Sequence, residues 1–250
     1  MRSSHRWGGR ASPAGEPARL SPVQRRQLLW AASHLGLGLG LGLGMQPRAQ
    51  AQGRADPAGA LPAPLRAGSR IAAVAPGTWL EPSDPSLTVL RQRCERQGWQ
   101  LLTPPELKGR WRWFSATDAA RSRALQAAWL DPAIDAIFCV GAGWGSARVL
   151  EQGWSIPSQP RWCVGFSDCS ALLLAQLAAG GRGGIHGWFG GGPEQWTRLV
   201  DLLSARPVGP LQGRGEQGDV VEGPLVVSNL TIATSLIGTP WLPDLRGCLL

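Results

Sequence analysis

The chain has 250 residues and 43% apolar content, enough for one large or two small domains with a buried core. Its formal net charge of +8 first suggests an anionic partner. The charge is uneven, however, because residues 1–51 hold seven arginines and one glutamate, a net of +6, and the other 199 residues carry only +2. The charge of the folded part therefore does not indicate a surface that binds nucleic acid.

Residues 1–51 have the features of an export signal and a disordered leader. The pair Arg25-Arg26 precedes a long uncharged stretch, and Ala49-Gln-Ala51 has the small residues of a cleavage site. The paired arginines resemble a twin-arginine signal, and the Leu–Gly alternation at 35–44 is weak for a stable membrane anchor. We expect an exported, periplasmic protein with residues 52–68 as a linker. The alternatives are an uncleaved anchor, or an over-extended start that leaves the protein cytoplasmic.

Strands alternate with helices through residues 69–210. The apolar run that begins at Arg70 predicts a strand that ends in a turn at Pro76-Gly77. Further strands are predicted at 99–103, 134–140 and 161–165, and helices at 87–97, 118–129, 146–152, 169–179 and 195–203. This order predicts an α/β fold, a parallel sheet wound by helices, whose site lies beyond the carboxyl ends of the strands.

The pattern changes in residues 211–250. A polar linker at 212–218 is followed by a run at 220–230 that predicts a hairpin edge. The apolar residues from Leu245 to the last position are typical of a strand that has just begun. We expect the start of a smaller, β-rich second domain that is incomplete.

One serine stands at the sharpest predicted turn of the sheet. The glycine-rich run from Gly141 to Arg148 follows a buried strand directly and opens a helix, with Ser146 at the bend. Such a turn lifts a hydroxyl above the end of the sheet and aims backbone N–H groups at the group it attacks. A simple N-cap role for Ser146 fits the spacing equally well. A dinucleotide loop does not fit, because its last glycine would fall at 146.

Five other polar residues are candidates with plainer alternatives. The pair Ser167-Asp168 is most simply a helix cap, with direct catalysis as the alternative. His186 is expected in a loop that shapes the mouth of the site, where it could contact substrate. Asp118 and Arg121 are expected as a capped, solvated helix end rather than a charge clamp.

The cysteines and histidines predict neither a metal site nor a disulfide framework. The five cysteines show no C-x-x-C spacing, and the chain has only three histidines. Cys139 and Cys163 lie in apolar, strand-like runs and are expected as small buried residues. No metal or cofactor is expected.

From about residue 68 onward, the sequence resembles the serine LD-carboxypeptidase family, which includes muramoyltetrapeptide carboxypeptidases and microcin-immunity peptidases. The resemblance rests on the order and spacing of six segments: 70–77, 113–132, 138–148, 164–172, 186–187 and 226–240. Two positions depart from the family pattern. Gly141 stands where the family has an arginine before the turn, and Ser228 replaces a glycine.

The resemblance implies a specific reaction. Members use a serine, a glutamate and a histidine to cut the bond between an L-centre and a terminal D-alanine in peptidoglycan tetrapeptides, without metal or cofactor. The nucleophile falls on Ser146, with the N–H of Ala147 as an oxyanion donor. Contacts to the muropeptide substrate are expected from Gly143, Trp144, Asp168 and His186.

The resemblance also raises a question about activity. The family's glutamate and histidine fall beyond residue 250, so we expect a C-terminally truncated and impaired enzyme. The alternative is a non-catalytic remnant or muropeptide-binding fragment. Members of the family often pair, which makes a homodimer a candidate assembly.

Overall fold

The structure is a computed structural model that describes residues 60–141, 143–211 and 222–250. The expected leader and residues 52–59 of the expected linker lie outside the described residues. The strands are β1 (Arg70–Val74), β2 (Gln100–Leu102), β3 (Ala136–Cys139), β4 (Trp162–Gly165) and β5 (Gly184–His186). The helices are α1 (Ser86–Arg96), α2 (Asp118–Leu130), α3 (Ser146–Leu150), α4 (Ser170–Ala178), α5 (Pro193–Leu203) and α6 (Leu230–Ser235). Short 3-10 turns cover Pro105–Lys108 and Ser167–Cys169.

The five strands form one parallel sheet in the order β2-β1-β3-β4-β5. The predicted parallel α/β fold is therefore confirmed. The central strands β3 and β4 are buried along their whole length, as expected for strands covered on both faces. Their carboxyl ends lead into the turns that hold Ser146 and Asp168.

Alternate strand residues pack into two separate cores. Ile71, Ala73 and Phe138 face one core, which also contains residues of α1 and α5. Ala72 and Ile137 face the other core, with residues of α2, α3 and α4. This two-residue alternation is the pattern that a sheet sandwiched between helices requires.

The close approach of α4 to the sheet depends on Gly165, the last residue of β4. A Cβ atom built there would lie 2.5 Å from Cys169 Cβ, which is closer than real side chains come. The missing side chain therefore lets the 167–169 turn lie directly on the end of β4.

Two expectations for the later part of the chain were wrong. His186 is the last residue of β5, a parallel strand that was not predicted, and does not lie in a loop. Within 222–230, no hairpin forms; Leu225 makes a single parallel bridge with Leu249, and α6 then starts at Leu230. The side chain of Asn229 accepts a hydrogen bond from the Ile232 N–H at 3.1 Å, which favours a helix start over a strand at this point.

Residues 222–250 pack on the face of the sheet that α4 covers. Ala233 and Leu236 of this segment belong to the same core as α4, and the Asn229 N–H donates to Ser170 Oγ at 2.8 Å. The proposed division at residue 211 stays a prediction. Among the described residues, no helix has the length and apolar character needed to cross a lipid bilayer.

Candidate functional site

Ser146 begins α3 directly after a glycine turn that follows β3. Gly143 and Gly145 have φ angles of +115° and +114°, which L side chains rarely adopt. A Cβ at Gly145 would also lie 2.5 Å from the Phe114 ring. Both the backbone angle and the lack of space therefore require glycine before the serine, as the predicted strand–turn–helix needs.

The hydroxyl of Ser146 is not raised into solvent, contrary to the expectation for a nucleophile turn. The residue is 0% exposed, and its Oγ lies 4.0 Å from the Sγ of Cys169. The physical reason is that the turn packs closely against two neighbouring segments of the chain. A Cβ on Gly77 would lie 3.0 Å from both the Trp144 carbonyl oxygen and an Asp168 carboxylate oxygen, so little space separates these three segments.

Asp168 holds the turn from the neighbouring strand end. Its carboxylate accepts a hydrogen bond from the Ser146 N–H at 2.8 Å, and the residue is buried. The expectation that Asp168 caps its own helix was therefore wrong, because the side chain caps α3 instead. This bond occupies the Ser146 N–H, whereas Ala147 follows as the second residue of α3.

Three thiols form a hydrogen-bonded cluster that reaches Ser146 through Cys169. Cys139, Cys163 and Cys169 are buried, and all are free. The hydrogen bond with Cys139, together with burial, raises the pKa of the Cys169 thiol well above its usual range. The thiol therefore stays protonated and does not act as a base toward Ser146.

His186 is bonded to the turn that follows β4. Its Nε2 accepts a hydrogen bond from the Ser167 N–H at 3.1 Å, and its ring packs against Phe166 with centroids 5.2 Å apart. Burial lowers the pKa of His186, so the neutral ring is favoured. The structure brings His186 and Asp168 to one edge of the sheet, and contact with substrate stays a prediction for both.

Arg121 lies at the candidate site, and the sequence interpretation placed it wrongly. It was expected at a solvated helix end, yet it is 2% exposed. Its guanidinium donates to the carbonyl oxygens of Pro76 and of Gly145, the latter at 3.0 Å, and pairs with Asp118. Arg121 therefore ties the turn after β1 to the turn before Ser146 and is a charge clamp.

Asp118 is the centre of a small ionic cluster, not a cap. The cap of α2 is Thr117, whose side chain accepts from the Ala120 N–H at 3.3 Å. Asp118 instead pairs with Arg121 and with Arg148, whose Nε lies 3.0 Å from the carboxylate. The hydrogen bond from Arg148 is the main cause that lowers the pKa of Asp118, and that from Arg121 adds to it, against the opposing effect of burial. Both guanidinium groups also lie over the Phe114 ring.

Trp144 is 52% exposed and packs edge-on against Phe114, with centroids 4.6 Å apart. Gly143 is also exposed. They lie three and two residues before Ser146, and contact with substrate stays a prediction for both. A cavity of about 670 Å³ lies alongside the edge strand β5, with Phe166, His186 and Trp188 in its wall. Ser146 does not line this cavity. Among the described residues, no group of three metal-ligating side chains is placed to hold an ion.

Known carboxypeptidases are similar to this chain in sequence. Residues 71–187 match the model of the LD-carboxypeptidase N-terminal domain. A Synechocystis sp. protein that bears the name of a carboxypeptidase is 35% identical over 76% of this chain. The murein tetrapeptide carboxypeptidase of Pseudomonas aeruginosa is 30% identical over 68% of this chain. The chain spans 64% and 61% of the lengths of these two relatives, respectively.

Solved structures show the same fold. The microcin C7 self-immunity protein MccF superposes with a TM-score of 0.60 and 19% identity, covering 76% of this chain and 69% of its own. A muramoyltetrapeptide carboxypeptidase from Oxalobacter formigenes gives a TM-score of 0.53 and 22% identity, covering 70% and 62%. These similarities show the α/β fold of the chain.

Proposed function

Because the chain belongs to the LD-carboxypeptidase family, we propose that it is a serine carboxypeptidase that releases the terminal D-alanine from peptidoglycan tetrapeptides. The observation that carries the proposal is the glycine turn that puts Ser146 at the carboxyl edge of a parallel sheet. The murein tetrapeptide carboxypeptidase of P. aeruginosa, a relative of this chain, supports a muropeptide as the substrate.

In this mechanism, Ser146 Oγ attacks the carbonyl carbon before the D-alanine, and its proton passes to a base. The N–H of Ala147 donates to the oxyanion, since Asp168 already occupies the N–H of Ser146. Collapse of the intermediate breaks the C–N bond, and the protonated amine leaves as D-alanine. Water then hydrolyses the acyl-serine and restores the hydroxyl.

The buried hydroxyl supports a second candidate, binding of muropeptides without turnover. Attack requires the turn to move, because Ser146 is 0% exposed. It also requires a base, and in the described part of the chain the Ser146 hydroxyl contacts the protonated thiol of Cys169, while His186 bonds the Ser167 N–H. We therefore propose that the 250-residue polypeptide turns over substrate about 10⁴-fold or more slowly than an enzyme with a complete triad.

D-alanine release and binding separate the two candidates. The purified 250-residue protein is incubated with a muramoyl tetrapeptide, beside Ser146→Ala and the matched control Ser155→Ala, which alters an exposed serine. Release that is lost in Ser146→Ala and kept in Ser155→Ala supports the peptidase. Binding of the peptide by all three proteins, with no release, supports the second candidate. Release that persists in Ser146→Ala would contradict the assignment of the nucleophile.

We also propose that the protein is exported. The support is the Arg25-Arg26 pair followed by the small-residue site Ala49-Gln-Ala51. Sequencing the mature N-terminus of protein expressed in a bacterial host tests this, with a start near Gln52 expected. An intact Met1 would count against export by cleavage.

A further inference from the structure

The 167–169 turn begins with a strained residue. Ser167 has a φ angle of +54°, a left-handed conformation that residues other than glycine, asparagine and aspartate seldom adopt. Such a conformation persists only where surrounding contacts enforce it. Phe166, which precedes the turn, provides no side-chain cap. A contact from another part of the chain must therefore hold the Ser167 backbone in place.

His186 supplies that contact from β5. Its Nε2 accepts the hydrogen bond from the Ser167 N–H at 3.1 Å. The histidine is itself fixed, because it pairs with Gly165 in the sheet and the Gly187 N–H donates to the Gly165 carbonyl at 2.9 Å. Its ring also packs against Phe166, with centroids 5.2 Å apart. A strand of the sheet thus fixes the acceptor, and the acceptor holds the turn.

The rest of the turn contacts the candidate nucleophile. Asp168 is its middle residue, and the carboxylate accepts from the Ser146 N–H at 2.8 Å. Cys169 is its last residue, with Sγ 4.0 Å from Ser146 Oγ. All three residues are buried, so water does not replace these contacts. A movement of the turn therefore changes both contacts to Ser146.

Only the uncharged form of His186 can hold the turn. A neutral imidazole has one nitrogen that accepts a hydrogen bond, whereas an imidazolium ion donates from both nitrogens. After protonation, the Nε2–H of His186 would face the Ser167 N–H, and an attraction would become a repulsion. Burial lowers the pKa of His186, which favours the accepting form at neutral pH.

The charged and titratable groups around the ring leave this form favoured. The cavity wall that contains the ring also holds Arg182 and Arg198 and, among the described residues, no acidic side chain. The 167–169 turn supplies Asp168, whose carboxylate already accepts a backbone N–H, and Cys169, whose thiol stays protonated. The ring is therefore uncharged near neutral pH and takes up a proton in acid.

Resting on the proposed function for the role of Ser146, we propose that His186 is a positioning residue: as an uncharged acceptor it holds the 167–169 turn and keeps Asp168 on the Ser146 N–H, and protonation of its ring releases the turn. The release provides the movement that attack by the buried hydroxyl requires. Ser146 is therefore more accessible in mild acid than at neutral pH.

Labelling of Cys169 in the full chain measures the release. Cys169 lies in the turn and Cys94 lies in the other core, and both are buried, so the ratio of their labelling rates separates local release from global unfolding. The probe is a pyridyl disulfide, which reacts with thiols in acid as well as at neutral pH, and mass spectrometry locates the label.

We expect the Cys169-to-Cys94 ratio to rise about tenfold between about pH 7.5 and about pH 5. The reason is that each pH unit below the pKa of an exposed histidine favours the released turn by up to about tenfold, until the ring in the closed turn is also protonated.

Three variants test the role of the acceptor. His186→Gln offers an amide oxygen that accepts at any pH, and should keep the ratio low throughout. His186→Phe retains a ring against Phe166 but cannot accept, and should give a high ratio at both pH values. The matched control Trp188→Phe alters a neighbouring ring that also packs on Phe166, and should keep the pH dependence of the unaltered protein.

Each other outcome overturns the proposal. A ratio that stays constant with pH in the unaltered protein refutes the release. A pH dependence that persists in His186→Gln or His186→Phe assigns it to another group. A parallel rise at Cys169 and Cys94 shows global unfolding and not a local movement. Labelling needs no substrate, so a failure to release D-alanine would defeat the proposed function and leave the labelling result standing.

Discussion

Replacing Arg121 with methionine tests the clamp that joins the two turns of the site. The variant keeps an unbranched apolar stem against Phe114 but removes every donor. The carbonyls of Pro76 and Gly145 lose a buried partner, whereas Asp118 retains its pair with Arg148. A buried polar group left without a partner costs about 1–3 kcal/mol, and breaking a buried ion pair from one side costs about 3–5 kcal/mol.

Because Asp118 remains partly paired, we expect a loss of about 3–5 kcal/mol in the free energy of unfolding, not the sum of these values. Urea denaturation followed by tryptophan fluorescence measures it, and Tm should fall by roughly 6–20 °C for a chain of this size. The matched control is Arg123→Met, an exposed arginine on the same helix, which should change stability by less than about 0.5 kcal/mol. If Arg121→Met differs from Arg123→Met by less than about 1 kcal/mol, Arg121 does not clamp the turns.

Three further predictions concern the backbone, a histidine and the thiols. Gly145→Ala should destabilise the fold by at least about 2 kcal/mol more than Gly153→Ala, because both residues have positive φ but, of the two, only Gly145 lacks space for a Cβ. Equal losses of unfolding free energy in denaturant titrations would show that the Phe114 ring does not exclude a side chain at Gly145. Burial lowers the pKa of His186 in the folded state, so the unfolded state takes up its proton first as pH falls below about 6.5. Stability should therefore decrease from pH 7.5 to 5.5, and less so in His186→Gln; the same decrease in both proteins would contradict this. Burial raises the pKa of Cys94 to about 12. With a thiol reagent at pH 8, we therefore expect Cys248 to react first and Cys94 to react only after unfolding. Rapid labelling of Cys94 in the native protein would refute its burial.

The sequence predicts the sheet well where apolar runs are long. The runs that become β1, β3 and β4 are apolar and bounded by turn residues, and the structure places all three in the sheet. β5 escaped prediction because it begins with a glycine and ends at His186, which leaves one apolar residue. The equally short β2 was predicted because it contains two leucines. The position of β5 depends on pairing with β4, a long-range contact that no local pattern encodes.

The error at Arg121 has a different cause. Charge alone suggested a solvated helix end, yet Arg121, Leu125 and Trp129 follow one another at four-residue intervals and are all buried. Helical spacing thus places the arginine on the apolar face of α2, and this signal was present in the sequence. The burial of Ser146 had no such signal, because it depends on how closely the segments of Gly77 and Asp168 pack against the turn.

Gly165 constrains what sequences this site accepts. Its φ angle lies outside the positive region, so the backbone itself would tolerate an L residue, and only the nearness of Cys169 forbids one. Even one methyl group there would lift the following turn from the strand and move the carboxylate of Asp168 from the Ser146 N–H. A redesigned or shuffled version of this protein that retains the hydrogen bond between Asp168 and Ser146 must therefore keep a glycine at the end of β4.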